Sequence, residues 1–262
     1  MLIDSHCHLD FPQLAADEAG VLARARNAGV AGLLTIGTRL DKFEAVRAIA
    51  ERHANVWCSV GVHPHEAKEE GQRTPDRLLA AAAHPRVIGI GETGLDFFYE
   101  HSPRAEQEES FRSHIAAARE SGLPLIIHTR DADAETGDIL EEEYRRGPFK
   151  GLIHCFSSGP ELAQRALALG LYVSISGIVT FKAADALRDT VRDLPLDRLL
   201  VETDAPYLAP IPKRGKTNEP AFVAHTAARV AELKGVGVAA LAAATTDNFF
   251  RLFDKAERAA CG

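Results

Sequence analysis

Two histidines one residue apart lie near the start of the chain, in the segment DSHCHLD. The short apolar run before them is typical of a β-strand, in which successive side chains point to opposite faces. His6 and His8 are therefore expected on one face, which Asp4 shares, while Cys7 points away. Two imidazoles on one face supply half of the ligands that a divalent transition metal prefers.

Eight short apolar runs alternate with longer amphipathic stretches along the chain. The runs are LIDSH, AGLLTIG, VWCSVGV, VIGIGE, LPLIIH, GLIHCF, LYVSISG and LLVETD. Their continuous apolar character is typical of parallel strands buried on both faces. Eight strand–helix repeats predict an α/β fold, a (β/α)8 TIM barrel, with a single domain over residues 1–262. A doubly wound open sheet is the alternative.

In such a barrel, the chemistry lies at the carboxyl ends of the strands. Four more residues that can ligate a metal stand there: Glu92, His128, His154 and Asp204. A single histidine at a strand end is commonly a hydrogen-bonded structural residue. Together with the first two histidines, however, six titratable side chains would be buried in one barrel mouth, which is costly without an ion to satisfy them. The sequence therefore predicts a metal centre.

This ligand set predicts two divalent ions, because a carboxylate can bridge ions that lie about 3.5–4 Å apart. The first and eighth strands are neighbours in a closed barrel, as are the fifth and sixth. We expect each of these two pairs of strands to hold one ion, with Glu92 between the ions. Nitrogen-rich ligands suit Zn²⁺, Mn²⁺ or Fe²⁺ on softness grounds, whereas availability favours Mg²⁺, so the identity of the metal stays open.

Two residues at the same end of the barrel are predicted to contact the substrate. His63 follows the third apolar run, in GVHPHEA, and Arg130 follows the fifth, in HTRDA. Arg130 can either reach a substrate phosphate or pair with Asp131 or Asp133, and the sequence does not choose between these roles.

Two more segments carry candidate substrate contacts. Lys213 and Arg214 lie in the proline-bounded segment PIPKRGKTNEP after the eighth run. A phosphate-binding patch competes there with a solvated charge cluster, and the position on the rim of an acidic protein favours the patch. The segment LDFFY offers Phe97, Phe98 and Tyr99 as surfaces on which bases can stack, although packing under the loop is the expected role of Phe97.

Composition limits the classes of partner. The net charge of -7 gives no general attraction to nucleic acid, so a polyanionic substrate must be captured by a local basic patch or by bound cations. The four cysteines lack C-x-x-C spacing, which favours a reduced, cytoplasmic protein. No apolar run approaches the ~18 residues that a membrane-spanning helix requires. We expect a monomer with no membrane partner.

Seven segments occur in order along the chain: DSHCHLD, GVHPHEA, IGETGLDFFY, LPLIIHTRDA, IHCFSSG, LLVETDAPYLAP and RGKTNEPAFV. Together they resemble the serial motifs of the TatD-type metal-dependent deoxyribonucleases, which lie within the amidohydrolase-like metal-barrel superfamily. The resemblance covers nearly the whole chain. It implies a TIM barrel that hydrolyses phosphodiester bonds at a divalent-metal centre, often as an exonuclease on single-stranded DNA. It also implies the family's metal positions, which are His6, His8, Glu92, His128, His154 and Asp204.

The predicted function is therefore that of a 3′–5′ exodeoxyribonuclease acting on single strands. In the expected mechanism, Glu92 lies between the ions and Asp204 accepts the proton of the attacking water. The alternative is a metal-dependent amide or lactone hydrolase of the same superfamily. Many such barrels carry a carboxylated lysine at the end of the fourth strand, whereas this chain has Glu92 there. A non-catalytic binding protein would be expected to lack a ligand, and none of the six is missing.

Overall fold

Each of the eight apolar runs forms a strand. The computed structural model describes residues 1–69, 75–99 and 101–261. Its strands are β1 (Leu2–Cys7), β2 (Val30–Thr35), β3 (Val56–Val60), β4 (Val87–Asp96), β5 (Leu125–Arg130), β6 (Gly151–Ile153), β7 (Tyr172–Ile175) and β8 (Leu199–Val201). They form one sheet in sequential order, and all neighbouring pairs are parallel. The sequential order excludes a doubly wound sheet.

The sheet closes between β1 and the segment that follows β8. The His8 N–H group donates to the carbonyl of Ala205 at 2.8 Å, and the Asp204 N–H group donates to the carbonyl of His6 at 2.9 Å. Cys7 and Ala205 form an isolated parallel bridge at the same place. These contacts confirm the predicted (β/α)8 TIM barrel.

Helices alternate with the strands. They are α1 (Pro12–Ala15), α2 (Glu18–Asn27), α3 (Phe43–Arg52), α4 (Pro75–Ala82), α5 (Arg104–Ser121), α6 (Asp133–Arg146), α7 (Pro160–Ala168), α8 (Asp185–Asp193), α9 (Val223–Lys234) and α10 (Val238–Leu252). Among these helices of the described residues, none combines the length and the apolar character that crossing a membrane demands.

Two apolar clusters form the core. The larger one joins the outward faces of the strands to helix residues such as Phe111 and Ile115. The smaller one contains strand residues such as Leu34, Ile88, Ile126, Leu152 and Leu200 together with Phe249 and Phe253. These strand residues face the barrel interior, because the side chains of a barrel strand alternate between interior and exterior. The two phenylalanines, at the C-terminal end of α10, therefore pack against the interior cluster.

A hydrogen-bonded pair ties β1 to the segment after β8. The Thr203 N–H group donates to Asp4 Oδ1 at 2.9 Å, and the Thr203 hydroxyl donates to Asp4 Oδ2 at 2.6 Å. Both residues are buried, and burial raises the pKa of Asp4 to about 8. The alternation of side chains predicted Asp4 on the face of His6. An irregularity in the pairing of β1 with β2 lies between Asp4 and Cys7.

We expect a Thr203→Val substitution to lower the free energy of unfolding by about 2 kcal/mol, because a buried Asp4 oxygen loses its donor. For a chain of this length, the melting temperature should fall by about 4–8 °C. Thermal unfolding followed by circular dichroism measures the change. Thr203→Ser keeps the hydroxyl and should retain most of the stability. A loss in Thr203→Ser as large as that in Thr203→Val would contradict the assignment of this stability to the hydroxyl group.

Candidate metal centre

The six residues predicted as ligands converge at the carboxyl end of the barrel, and Glu92 lies at the centre of the cluster. Its Oε2 lies 3.4 Å from His6 Nε2 and 3.9 Å from His8 Nε2. Its Oε1 lies 2.7 Å from His154 Nε2 and 3.1 Å from His128 Nδ1. The two oxygens of one carboxylate thus face two separate pairs of imidazoles.

Asp204 lies on the side of the first pair. Its Oδ1 is 3.4 Å from His8 Nε2 and 3.7 Å from His6 Nε2. Its side chain is 15% exposed, against 4% for Glu92, so Asp204 is the more accessible of the two carboxylates. Asp204 also adopts a φ of +56°, a left-handed conformation that is uncommon for residues other than glycine.

Strand β4 differs from its predicted extent. Glu92 was expected at the end of this strand, but β4 continues to Asp96. Gly94, with a φ of +136°, allows the extension, since a Cβ atom there would collide with the carbonyl oxygen of His128. The close approach of β4 to β5 at this position brings Glu92 and Asp96 alongside His128.

His63 lies inside the cluster. Its Nε2 is 3.5 Å from Glu92 Oε1, and its ring centroid is 4.7 Å from that of His128. Its Nδ1 accepts a hydrogen bond from the His65 N–H group at 3.1 Å, which turns Nε2 toward Glu92. His63, predicted as a substrate contact, therefore lies where it can also act as a ligand.

Two carboxylates that the sequence reasoning did not select hold the outer nitrogens of the histidines. Glu202 Oε1 lies 3.2 Å from His154 Nδ1, and Asp96 Oδ2 lies 3.2 Å from His128 Nε2. Carboxylates in this position orient ligating imidazoles and increase their basicity. The signal available in the sequence was their spacing, since Glu202 stands two residues before Asp204 and Asp96 four residues after Glu92.

The pKa values of four side chains favour the forms that bind cations, whereas, against burial, neighbouring carboxylates raise the pKa values of His8, His128 and His154. Burial lowers the pKa values of His6 and His63, which keeps their imidazoles neutral. Burial would raise the pKa of Glu92, but the surrounding histidines outweigh it and hold this pKa well below its usual range. The pKa of Asp204 is lowered in the same way, against burial, by His8 and His6. Neutral imidazoles and ionised carboxylates are the ligand forms of these groups.

Unpaired buried nitrogens show that this cluster fits divalent cations. Among the described residues, both ring nitrogens of His6 and the Nδ1 of His8 are buried without a hydrogen-bond partner. Leaving such polar atoms unpaired is costly unless an ion engages them. Three groups bring their ligand atoms within 4.8 Å of one another: His6, His8 and Glu92; His6, His154 and Glu202; and His63, Glu92 and His128. Nitrogen and oxygen ligands of this kind suit divalent transition metals.

We expect removal of divalent cations by a chelator to lower the melting temperature by about 8–16 °C. A ligand at about 1,000 times its dissociation constant stabilises the folded state by about 4 kcal/mol, and each kcal/mol shifts the melting temperature of a chain of this size by about 2–4 °C. Differential scanning calorimetry before and after readdition of Mn²⁺ or Zn²⁺ measures the shift. A His6→Asn variant should show a much smaller shift, whereas an unchanged melting temperature in the wild type would contradict a cation site.

The cationic residues of the rim lie against aromatic rings. The Arg130 guanidinium carbon lies 4.0 Å from the ring centroid of Phe98, and among the described residues no carboxylate pairs with it. Asp133 instead accepts a hydrogen bond from the Ser158 hydroxyl. Neither of the two aspartates considered for Arg130 is thus its partner. Phe97 is buried under the loop, as expected.

Lys213 and Arg214 lie in the loop after β8, which places them at the same end of the barrel. Lys213 Nζ lies 5.1 Å from the ring centroid of Phe222, and the Arg214 guanidinium carbon lies 4.0 Å from that of Phe181. Arg214 also donates to the carbonyl of Ala209 at 3.2 Å. Both cationic side chains thus contact aromatic rings at this end of the barrel. Their role toward a substrate stays a prediction.

Similarity to known proteins extends over the whole barrel. The family model described as TatD related DNase matches residues 3–254. The chain is 47% identical over 255 residues to the uncharacterized metal-dependent hydrolase YcfH of Escherichia coli, covering 96% of this chain and 95% of that protein. It is 39% identical over 257 residues to the 3′–5′ ssDNA/RNA exonuclease TatD of Enterobacter lignolyticus, covering 96% and 98%. The crystal structure of YjjV, a TatD homolog from Escherichia coli, superposes with a TM-score of 0.89 at 30% identity and covers 97% of this chain and 98% of that one. This chain therefore belongs to the TatD family and is a metal-dependent hydrolase.

Proposed function

We propose that this protein is a 3′–5′ exonuclease that hydrolyses phosphodiester bonds of single-stranded DNA. The position of Glu92 carries the proposal, because its two oxygens face two different pairs of imidazoles. A carboxylate so placed is suited to a pair of ions of the kind that nucleases use. The relative from Enterobacter lignolyticus, named as an exonuclease on single-stranded DNA and RNA, supports the same chemistry.

The cluster divides into two sets of ligands around Glu92. His6, His8 and Asp204 would hold one ion, and His128 and His154 the other. When bound, divalent ions supply Lewis acidity toward phosphoryl oxygens and lower the pKa of the attacking water. His63 lies close enough to Glu92 to join the second set.

In this scheme, Asp204 acts on the water and Arg130 acts on the substrate. Asp204 accepts the proton of the water, since its carboxylate is accessible and its pKa is lowered, so that it is ionised at neutral pH. Arg130 donates its N–H groups to a non-bridging oxygen and offsets the developing charge. Lys213 and Arg214 lie on the rim and would contact phosphates farther along the strand.

Cleavage of end-labelled single-stranded DNA tests the proposal. Protein stripped of metal is incubated with a 5′-labelled oligonucleotide and with Mg²⁺, Mn²⁺ or Zn²⁺, and the products are resolved on a sequencing gel. We expect a metal-dependent ladder that shortens from the 3′ end, and slower shortening of a blunt duplex of the same sequence. A ladder with RNA but not with DNA would overturn the choice of substrate. Intact nucleic acid in every lane would favour the amide or lactone hydrolase alternative.

A further inference from the structure

Two exposed aromatic side chains lie on the loop between β4 and α5, beside the candidate metal centre. Phe98 is 53% exposed and Tyr99 is 50% exposed, although burial of large aromatic rings is favourable. The backbone N–H groups of both residues donate to Asp96 Oδ1, at 3.1 and 3.0 Å. The rings are therefore presented to solvent by a hydrogen-bonded backbone rather than by a disordered loop.

Asp96 connects this aromatic pair to the metal cluster. Its other oxygen, Oδ2, lies 2.8 Å from His65 Nε2 and 3.2 Å from His128 Nε2. Its own N–H group donates to Gln107 Oε1 at 2.7 Å, and its side chain is buried. One buried carboxylate thus sets the position of the two rings relative to His128.

Arg130 completes the surface. It follows His128 by two residues on β5, so that both side chains point to the same face of the strand. Its guanidinium carbon lies 4.0 Å from the ring centroid of Phe98 and 4.7 Å from that of Tyr99. No carboxylate in the described part of the chain pairs with this cation, so its N–H groups are available to an anion.

The chemistry of this surface matches a nucleotide. Aromatic faces and guanidinium planes stack on unpaired bases without regard to sequence, and guanidinium N–H groups bind phosphate oxygens. Arg130 also supplies a local positive charge in a protein whose net charge of -7 gives no general attraction to a polyanion.

We propose that Phe98, Tyr99 and Arg130 form a base platform, on which the nucleobase next to the scissile phosphate stacks. Arg130 also reaches the scissile phosphate itself. The proposal rests on the proposed nuclease function and deepens it. Bases inside a duplex are already stacked on both faces, so the base platform selects unpaired strand ends. Asp96 is the positioning residue, since it links the platform to His128.

Binding of a fluorescent base tests the base platform without turnover. The probe is single-stranded DNA with 2-aminopurine at the last or the penultimate 3′ position, and the protein is a Glu92→Gln variant in Mg²⁺. We expect quenching of 2-aminopurine at one of these positions. A Phe98→Leu/Tyr99→Leu double substitution in the same background should abolish the quenching and weaken binding about tenfold. Val238→Ala is the matched control, because Val238 is 49% exposed and begins α10, away from the mouth.

An abasic residue separates stacking from general contact. With a tetrahydrofuran residue in place of the stacked nucleotide, the double variant and the parent protein should bind within twofold of each other. Equal weakening for abasic and base-bearing DNA, or no weakening for either, would overturn the base platform.

The same pair of substrates distinguishes failure of the base platform from failure of the proposed function. If the wild type degrades DNA but the double substitution leaves its preference for base-bearing ends unchanged, the platform is wrong and the nuclease function stands. If the wild type degrades no nucleic acid while base-dependent quenching persists, the platform stands as a nucleotide site and the proposed reaction is wrong.

Discussion

A Glu92→Gln substitution is expected to reduce the rate of hydrolysis by at least about 10³-fold while the barrel stays folded. Glutamine preserves the volume of the side chain but removes the negative charge that faces both pairs of imidazoles. One carboxamide oxygen can engage a cation on one side of the cluster, and the amide N–H₂ group then opposes a cation on the other side. The substitution therefore separates the two halves of the centre. Turnover of 5′-labelled single-stranded DNA and metal content by plasma mass spectrometry measure the effect.

Glu120→Gln is the matched control for this variant. Glu120 is exposed in the last turn of α5, at the end of the barrel opposite to the cluster, so the same chemical change there should leave turnover and metal content unaltered. Turnover of Glu92→Gln within tenfold of the wild type, at normal metal content, would show that the carboxylate does not link two ions.

The convergence of the six predicted ligands was predictable because a parallel barrel imposes it. Residues at the carboxyl ends of strands in such a barrel must meet at one rim, whatever the details of the loops. His128 and His154 illustrate this, since each follows an apolar run directly and each reaches Glu92 in the structure. The order of the strands alone brings them together.

Departures from regular strand geometry were not predictable in the same way. Simple alternation predicts that Asp4 shares the face of His6, but it does not predict the hydrogen bonds of the Asp4 carboxylate with Thr203, beside an irregular step in β1. The length of β4 depends on the close approach of Gly94 to His128, which is a contact between strands rather than a property of either one. Such contacts between strands cannot be predicted from the apolar pattern of a single strand.

The carboxylates behind the histidines were missed for a related reason. Glu202 and Asp96 are ordinary acidic residues by composition, and their spacing from Asp204 and Glu92 is a weak signal; their distances to His154 and His128 distinguish them from solvated charges. His63 follows the third apolar run and was predicted as a substrate contact. The turn after β3, in which the His65 N–H group bonds to His63 Nδ1, brings its ring back to Glu92.

An Asp204→Asn substitution is expected to lower kcat by about 10³-fold even at saturating metal, because asparagine keeps an oxygen for a cation but cannot accept a proton from water. Asp204 Oδ1 lies 3.4 Å from His8 Nε2, so this side chain also belongs to the ligand set, and the two roles must be separated. A loss of ligand strength alone is overcome by adding more metal, whereas the loss of a base is not. Rates measured over a titration of Mn²⁺ distinguish these cases.

The dependence of the hydrolysis rate of Asp204→Asn on Mn²⁺ concentration and on pH shows whether Asp204 is a base or only a ligand. If Asp204 is the base, the plateau of the Mn²⁺ titration stays low and the residual rate rises with pH as hydroxide replaces the missing acceptor. If Asp204 is only a ligand, the plateau returns to within about tenfold of the wild type, and the assignment of the proton acceptor is wrong. Asp197→Asn is the matched control, since Asp197 is exposed just before β8 at the amino end of that strand. Both variants lose one negative charge. A low maximal rate at saturating Mn²⁺ in Asp204→Asn, together with a normal maximal rate in Asp197→Asn, would therefore assign the loss to the carboxylate of Asp204 and not to the change in net charge.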